Sequence, residues 1–321
     1  MTFSAPVRPP AGRARIARAT ARWSRRLVVG LVAVGVLGPA GASWPSSVVL
    51  AVAATGFLAG IPHGAVDHVL LSRLTGRGLG GVTAVYAACA VATWALLRWG
   101  GPVPLVAVVL LSVVHFGLGE LEAQPGARGP VAAVATAVAA TGALLLPLAR
   151  SGAEIRAVAA ALSPGLGAVV GSDGFRLATT VTWLVAAGVA GVAAVRAGRP
   201  VVLLDLVLVG ALGALLPPLV AFAVWFGGWH ALRHAGRLLV AEPGCATLVD
   251  AGRTRDAVLR LARMAALPTV AALATLVVIA TLTVTATDGA GSVAEALRVL
   301  LALTVPHMLV VLWIDVRSHG A

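Results

Sequence analysis

The sequence predicts an all-α integral membrane protein, a polytopic bundle of about ten transmembrane helices with a short interfacial or re-entrant segment. Three observations predict it. Hydrophobic residues make up 59% of the 321 residues and charged ones only 11%, whereas about a quarter of a soluble domain is charged. Apolar runs recur at close to the ~20 residues that a spanning helix needs. The net charge of +12 is carried by 24 basic residues, all arginine, most of them at the ends of those runs. Arginine placed there orients helices in a membrane and does not mark a nucleic-acid binder.

Residues 1–26 hold Arg8, Arg13, Arg15, Arg18, Arg22, Arg25 and Arg26 and read as a disordered basic tail at the cytoplasmic face. One transmembrane domain follows over 27–317, then a short tail over 318–321. Apolar runs bounded by Arg, Gly and Pro place spans near 27–43, 47–72, 80–98, 103–122, 130–149, 175–195, 201–217, 219–240, 266–286 and 293–315. The stretch 154–170 is Gly-rich and broken by Ser163 and Pro164, so it reads as the interfacial or re-entrant piece.

With the N-terminus in the cytoplasm, the inner connections hold Arg73, Arg77, Arg128, Arg196, Arg199, Arg237, Arg253, Arg255, Arg260, Arg263 and Arg317. The outer ones hold Arg98, Arg150, Arg156, Arg176 and Arg298. That excess inside predicts a multi-pass protein of the cell membrane with both termini cytoplasmic. Arg25 and Arg26 before an apolar run ending at Ala40-Gly41-Ala42 also resemble a cleavable leader, but the second span begins outside on either reading. Cys89 and Cys245 form no disulfide framework and no metal spacing.

Polar residues inside apolar runs are expensive, and intramembrane ionisable groups mark function. Of seven histidines, His63, His68, His115, His230, His234 and His307 fall on spans two, four, eight and ten, all of which run from outside to inside. His63 lies ten residues before Arg73, His307 ten before Arg317, and His115 nine before Gln124. They share a depth in the inner half of the bilayer. In WHALRH, His230 and His234 are four apart and project from one helix face, as a chelating pair does. In PHGAVDH, His63 and Asp67 are also four apart, so Asp67 is expected to reach back to a liganding imidazole or to tie two helices. His68 is rotated by roughly 140° from His63 and faces elsewhere.

A metal or haem site is the expectation. Imidazoles suit iron, zinc, copper and nickel, and four neutral ones leave the 2+ charge and open positions that fit a ferrous centre. Glu120 and Glu122 are weaker candidates; Glu122, seven residues after His115, shares its face but reads rather as a solvated or interfacial charge at the membrane edge. Trp225, Phe226, Trp229 and Phe116 read either as core or as the wall of a polyene site. Asp205 in span seven has no evident role. Alternatives from other classes are a haem-binding electron carrier, a His/Asp proton-relay transporter, and polar groups that only join helices.

GIPHGAVDHVL, HFGLGE, WHALRH and VPHMLV resemble, in order and in membrane context, the Brp/Blh family of bacterial β-carotene 15,15′-dioxygenases, over essentially the whole chain after residue 45. The resemblance implies a membrane-embedded enzyme that uses Fe(II) and O2 to split the central double bond of β-carotene into two retinal molecules. Its implied iron ligands, and catalytic residues, are His63, His115, His230 and His234, supported by Asp67 and His307. It implies β-carotene and O2 as substrates, the lipid bilayer as surroundings, a retinal-binding rhodopsin as recipient of the product, and no nucleic-acid partner. The Arg-rich N-terminus and the stretch around 150–175 depart from the family pattern and bear on substrate preference.

Overall fold

The computed structural model describes residues 11–37, 44–123, 129–284 and 289–320, and every regular element among them is helical. Arg8, the Ala40-Gly41-Ala42 stretch, Gln124 and Arg128 lie outside the described residues. The basic segment expected to be disordered is helical from residue 11, because α1 runs over Ala11–Leu37. Arginine is a good helix former, and two of these arginines are anchored: Arg13 pairs with Asp250 at 2.7 Å and Arg25 with Asp205 at 2.5 Å.

The second expected span is α2 (Ser46–Gly64) and α3 (Asp67–Thr75), broken between them and closed by Gly76 at φ +69°. α4 (Leu79–Trp99) and α5 (Pro102–Ala123) follow. The fifth expected span is a bent pair, α6 (Pro130–Ala139) and α7 (Gly142–Arg150), at 59°. The expected interfacial stretch forms two short helices, α8 (Ala153–Leu162) and α9 (Leu166–Gly171), parted near Ser163 and Pro164. α10 (Asp173–Arg196) and α11 (Pro200–Leu215) lead into α12 (Pro218–Val224), a π-helical segment (Trp225–Ala231) and α13 (Leu232–Ala241). α14 (Pro243–Asp250), α15 (Thr254–Val284) and α16 (Gly289–Gly320) complete the described chain.

Six of these helices are long and apolar enough to cross a membrane, or seven if the bent pair is one span. The expected first, seventh and eighth spans fall short of that measure. α1 is charged through its first half, α11 has 16 residues, and the eighth is interrupted by its π-helical turn. Exposed Val85 (71%), Leu177 (67%) and Val270 (62%) show the helices turning apolar faces outward, which suits a lipid solvent and no aqueous one.

The α12–π–α13 rod stands at the centre. It packs on α2, α1 and α5, while α16 packs on α3, α4, α5 and α15. Trp225, Trp229, Leu212, Leu216 and Val220 are fully buried around the rod. Glycine sets the closest approach: a Cβ on Gly56 would lie 2.5 Å from the Ala223 carbonyl, and one on Gly227 would collide with the backbone of Gly56. Only glycine lets α2 and the rod meet backbone to backbone.

Ion pairs join connections expected at one membrane face. Glu242 binds Arg73 at 2.5 Å and Arg260 at 3.2 Å, and Arg237 pairs with Glu122 and with Asp315. Residues expected at the opposite face pair with one another too, as Arg98 and Arg298 do with Glu295.

Candidate metal centre

The site is built where the rod, α2, α5 and α16 converge. Two of its histidines follow a proline, Pro62–His63 in α2 and Pro306–His307 in α16. A proline inside a helix removes one backbone hydrogen bond and loosens the turn before it. In α2 the Gly60 carbonyl in that turn is bonded by His63 Nδ1, leaving His63 Nε2 to point away.

The break at Ala65–Val66 turns Asp67 off the face that four-residue spacing assigns it. Its carboxylate meets His307 Nδ1 at 2.5 Å and not His63, which corrects that part of the sequence expectation. Asp67 is therefore the tie between α3 and α16. It is the kind of carboxylate that fixes an imidazole's tautomer and orientation.

The π-helical turn carries His230, and α13 carries His234. Wide turns of this kind are rare and concentrate at functional sites. Their ring centroids lie 5.2 and 5.4 Å from that of His63, and His307 lies 4.8 Å from His63 and from His115. His115 Nε2 and His230 Nε2 face each other at 3.3 Å. Five histidines are thus gathered, all buried. His68 stands apart, its ring 6.3 Å from that of Tyr86.

The donor atoms test whether a metal fits. His63 Nε2, His307 Nε2 and both ring nitrogens of His234 are buried without a hydrogen-bond partner. Leaving such atoms unsatisfied is costly, and a cation among them satisfies several at once. One ring nitrogen each from His63, His230 and His307 lies within 4.8 Å of the other two, so a single ion can be reached by all three with small side-chain movements. Neutral imidazoles of this kind are ordinary ligands for a divalent transition metal. Most of the histidine rings meet edge to face, and His230 and His234 stack at 18°.

Behind the rings lies a buried charge network that sequence reasoning missed. Arg233, directly before His234, binds Glu120 at 2.6 Å and Asp205 at 3.2 Å, and Asp205 also binds Arg25. Trp229 Nε1 donates to Glu120 at 3.1 Å while the Arg233 guanidinium stacks 3.7 Å over the Trp229 ring. Glu120 is a buried helix tie, and Asp205 is the acid that neutralises two arginines. Glu122 sits outside the network, on Arg237. Phe116 and Trp225 pack at 4.4 Å within the core with their rings tilted by 51°, and Phe116 lies 4.6 Å from His230, so these aromatics wall the site by packing. Cys89 and Cys245 are free thiols and lie in other parts of the fold.

A family model described as beta-carotene 15,15′-dioxygenase matches residues 54–315, which include all five histidines. The chain is 28% identical over 285 residues to the probable beta-carotene 15,15′-dioxygenase Blh of Halobacterium salinarum, covering 81% of this chain and 82% of that protein. No solved structure matches.

Proposed function

The chain belongs to the β-carotene 15,15′-dioxygenase family, and we propose that it cleaves the central 15,15′ double bond of β-carotene with O2 to give two molecules of retinal, at a ferrous ion held by the buried histidines. The observation that carries the reading is the convergence of five histidines from four parts of the fold with unpartnered ring nitrogens among them. His63, His230 and His307 form the tightest set. His115 and His234 complete the group, and His307 joins the ligands where the resemblance gave it a supporting place. When bound, a ferrous ion supplies the activation of O2 beside the polyene's central carbons.

The protein's own part is orientation. The Gly60 carbonyl and the Asp67 carboxylate hold the Nδ1 atoms of His63 and His307, so the Nε2 lone pairs of both point into the cluster. Phe116, Phe226 and Trp225 exclude water from the rings. An apolar chain held beside the cluster would gain much of its rate from proximity. The reaction needs no protein acid or base.

A lipid-soluble substrate suits a site among apolar helices, and the arginine distribution supports a multi-pass cell-membrane protein with both termini cytoplasmic. A rhodopsin as recipient of retinal rests on the product's chemistry and on no feature of the chain. The test is expression in a β-carotene-producing bacterial strain, wild type beside His230→Ala at matched membrane levels, with chromatography for retinal. Retinal and bleaching in wild type alone support the reading. Persistent colour in iron-replete wild-type cells would sink it, and metal analysis of purified protein checks the iron.

A further inference from the structure

A groove of about 860 Å³ lies between α3, α4 and α16, within the range of about 300–1,000 Å³ usual for small-molecule sites. Its two long walls are helical stripes. Gly81, Val85 and Cys89 recur at four-residue intervals on α4, and Pro306, Leu309, Val310 and Trp313 recur at three- and four-residue intervals on α16. Eight residues of helix make each wall about 12 Å long. Among the described residues, Arg77 is the sole charged group on the groove, and it stands in the α3–α4 connection. The Tyr86 hydroxyl is turned onto the Leu303 carbonyl at 3.5 Å. Among the described residues no charged group therefore meets a ligand lying along the walls, which suits a long hydrocarbon and no polar substrate.

The groove backs directly onto the histidine cluster. Pro306 lines it, and the next residue, His307, is buried in the cluster. Leu71 lines it too, one turn beyond Asp67, the partner of His307. Tyr86 closes the same wall against His68. We infer that this groove seats one apolar half of the polyene, with Gly81 and Val85 setting how bulky that half can be. The inference rests on the carotenoid reading above.

Gly81 is the place to test it, because a Cβ there meets nothing within 4 Å and a large side chain fills the groove without disturbing the fold. Val85→Trp, one turn along the same stripe at a residue 71% exposed, is the second variant. Gly188→Trp on α10 is the control, since Gly188 is exposed and its Cβ is equally unopposed. Each protein is purified from β-carotene-producing cells, and two quantities are read: pigment retained per protein and KM for β-carotene.

The expected result is that Gly81→Trp and Val85→Trp lose about tenfold in retained pigment and gain about tenfold in KM, while Gly188→Trp matches wild type. If both groove variants match the control, the inference is overturned and the carotenoid reading stands. If wild type makes no retinal, retained pigment alone decides: loss in Gly81→Trp keeps the groove while the cleavage reading falls, and unchanged retention removes the groove. Wild type that neither cleaves nor retains pigment overturns both.

Discussion

Asp67 shows how one carboxylate does two jobs. It is 1% exposed and bonds His307 from another helix, so it both ties α3 to α16 and holds a ring whose other nitrogen faces the cluster. Asp67→Asn keeps shape and part of the hydrogen bond, so folding should survive while metal affinity falls about 10- to 100-fold; metal per protein after dialysis against a weak chelator, with a melting curve alongside, separates the two effects. Unchanged retention would mean that His307 needs no such partner. Spacing alone pointed to His230 and His234, because an i, i+4 pair survives even the π-helical turn. It pointed to Asp67 but to the wrong histidine, since a two-residue break between α2 and α3 has no strong sequence signal in GIPHGAVDH. His307 carried a signal in hindsight, the Pro–His pair it shares with His63. Asp205 carried none, because its partners Arg25 and Arg233 are 180 and 28 residues away.

At the scale of elements, the site depends on how closely two helices can approach. Gly56→Ala puts a methyl 2.5 Å from the Ala223 carbonyl, and it should destabilise by about 1–3 kcal/mol and lower metal content as well, because α2 carries His63. A thermal melt in detergent with metal analysis checks it, and a wild-type melting temperature would show that the two backbones part freely. The Arg233 network predicts a contrast along α13. Arg233→Ala takes the balancing cation from the buried Glu120 and should cost about 3–5 kcal/mol, whereas Arg237→Ala, at a side chain 28% exposed, should cost at most about 1 kcal/mol. Equal losses would refute the idea that burial decides. The long apolar helices α4, α5, α10 and α16 were legible as runs between arginines and prolines. The bend between α6 and α7 and the short helices of the α12–π–α13 rod were not, since hydropathy averages over a turn and does not see how it is wound.

At the scale of the whole molecule, the helix ends on one face are clipped together by Glu242, which joins α14 to Arg73 on α3 and to Arg260 on α15. Burial alone would raise its pKa, but hydrogen bonds from Arg260 and from the Cys245 backbone outweigh that and hold it at about 2, below the usual 4.5. Because the folded value is the lower one, the clip is fully present above about pH 4.5 and is lost as the pH falls toward 2. Its worth is on the order of 1–2 kcal/mol, given how exposed both arginines are. The melting temperature of wild type minus that of Glu242→Gln should hold steady from pH 7 to 5 and shrink below 4.5; a difference independent of pH would exclude the carboxylate as the cause. The π-helical turn, finally, makes the length of the chain part of the site. Wound as an ordinary α-helix at unchanged length, the residues between Val224 and His230 would swing everything beyond them by roughly 100°, carrying His230 and His234 off the cluster with every ligand still present in the sequence, whereas a chain one residue shorter there could close the turn to α-helix and keep both rings in place. Scanning by substitution would pass over this dependence, and a series of single-residue deletions and insertions would expose it.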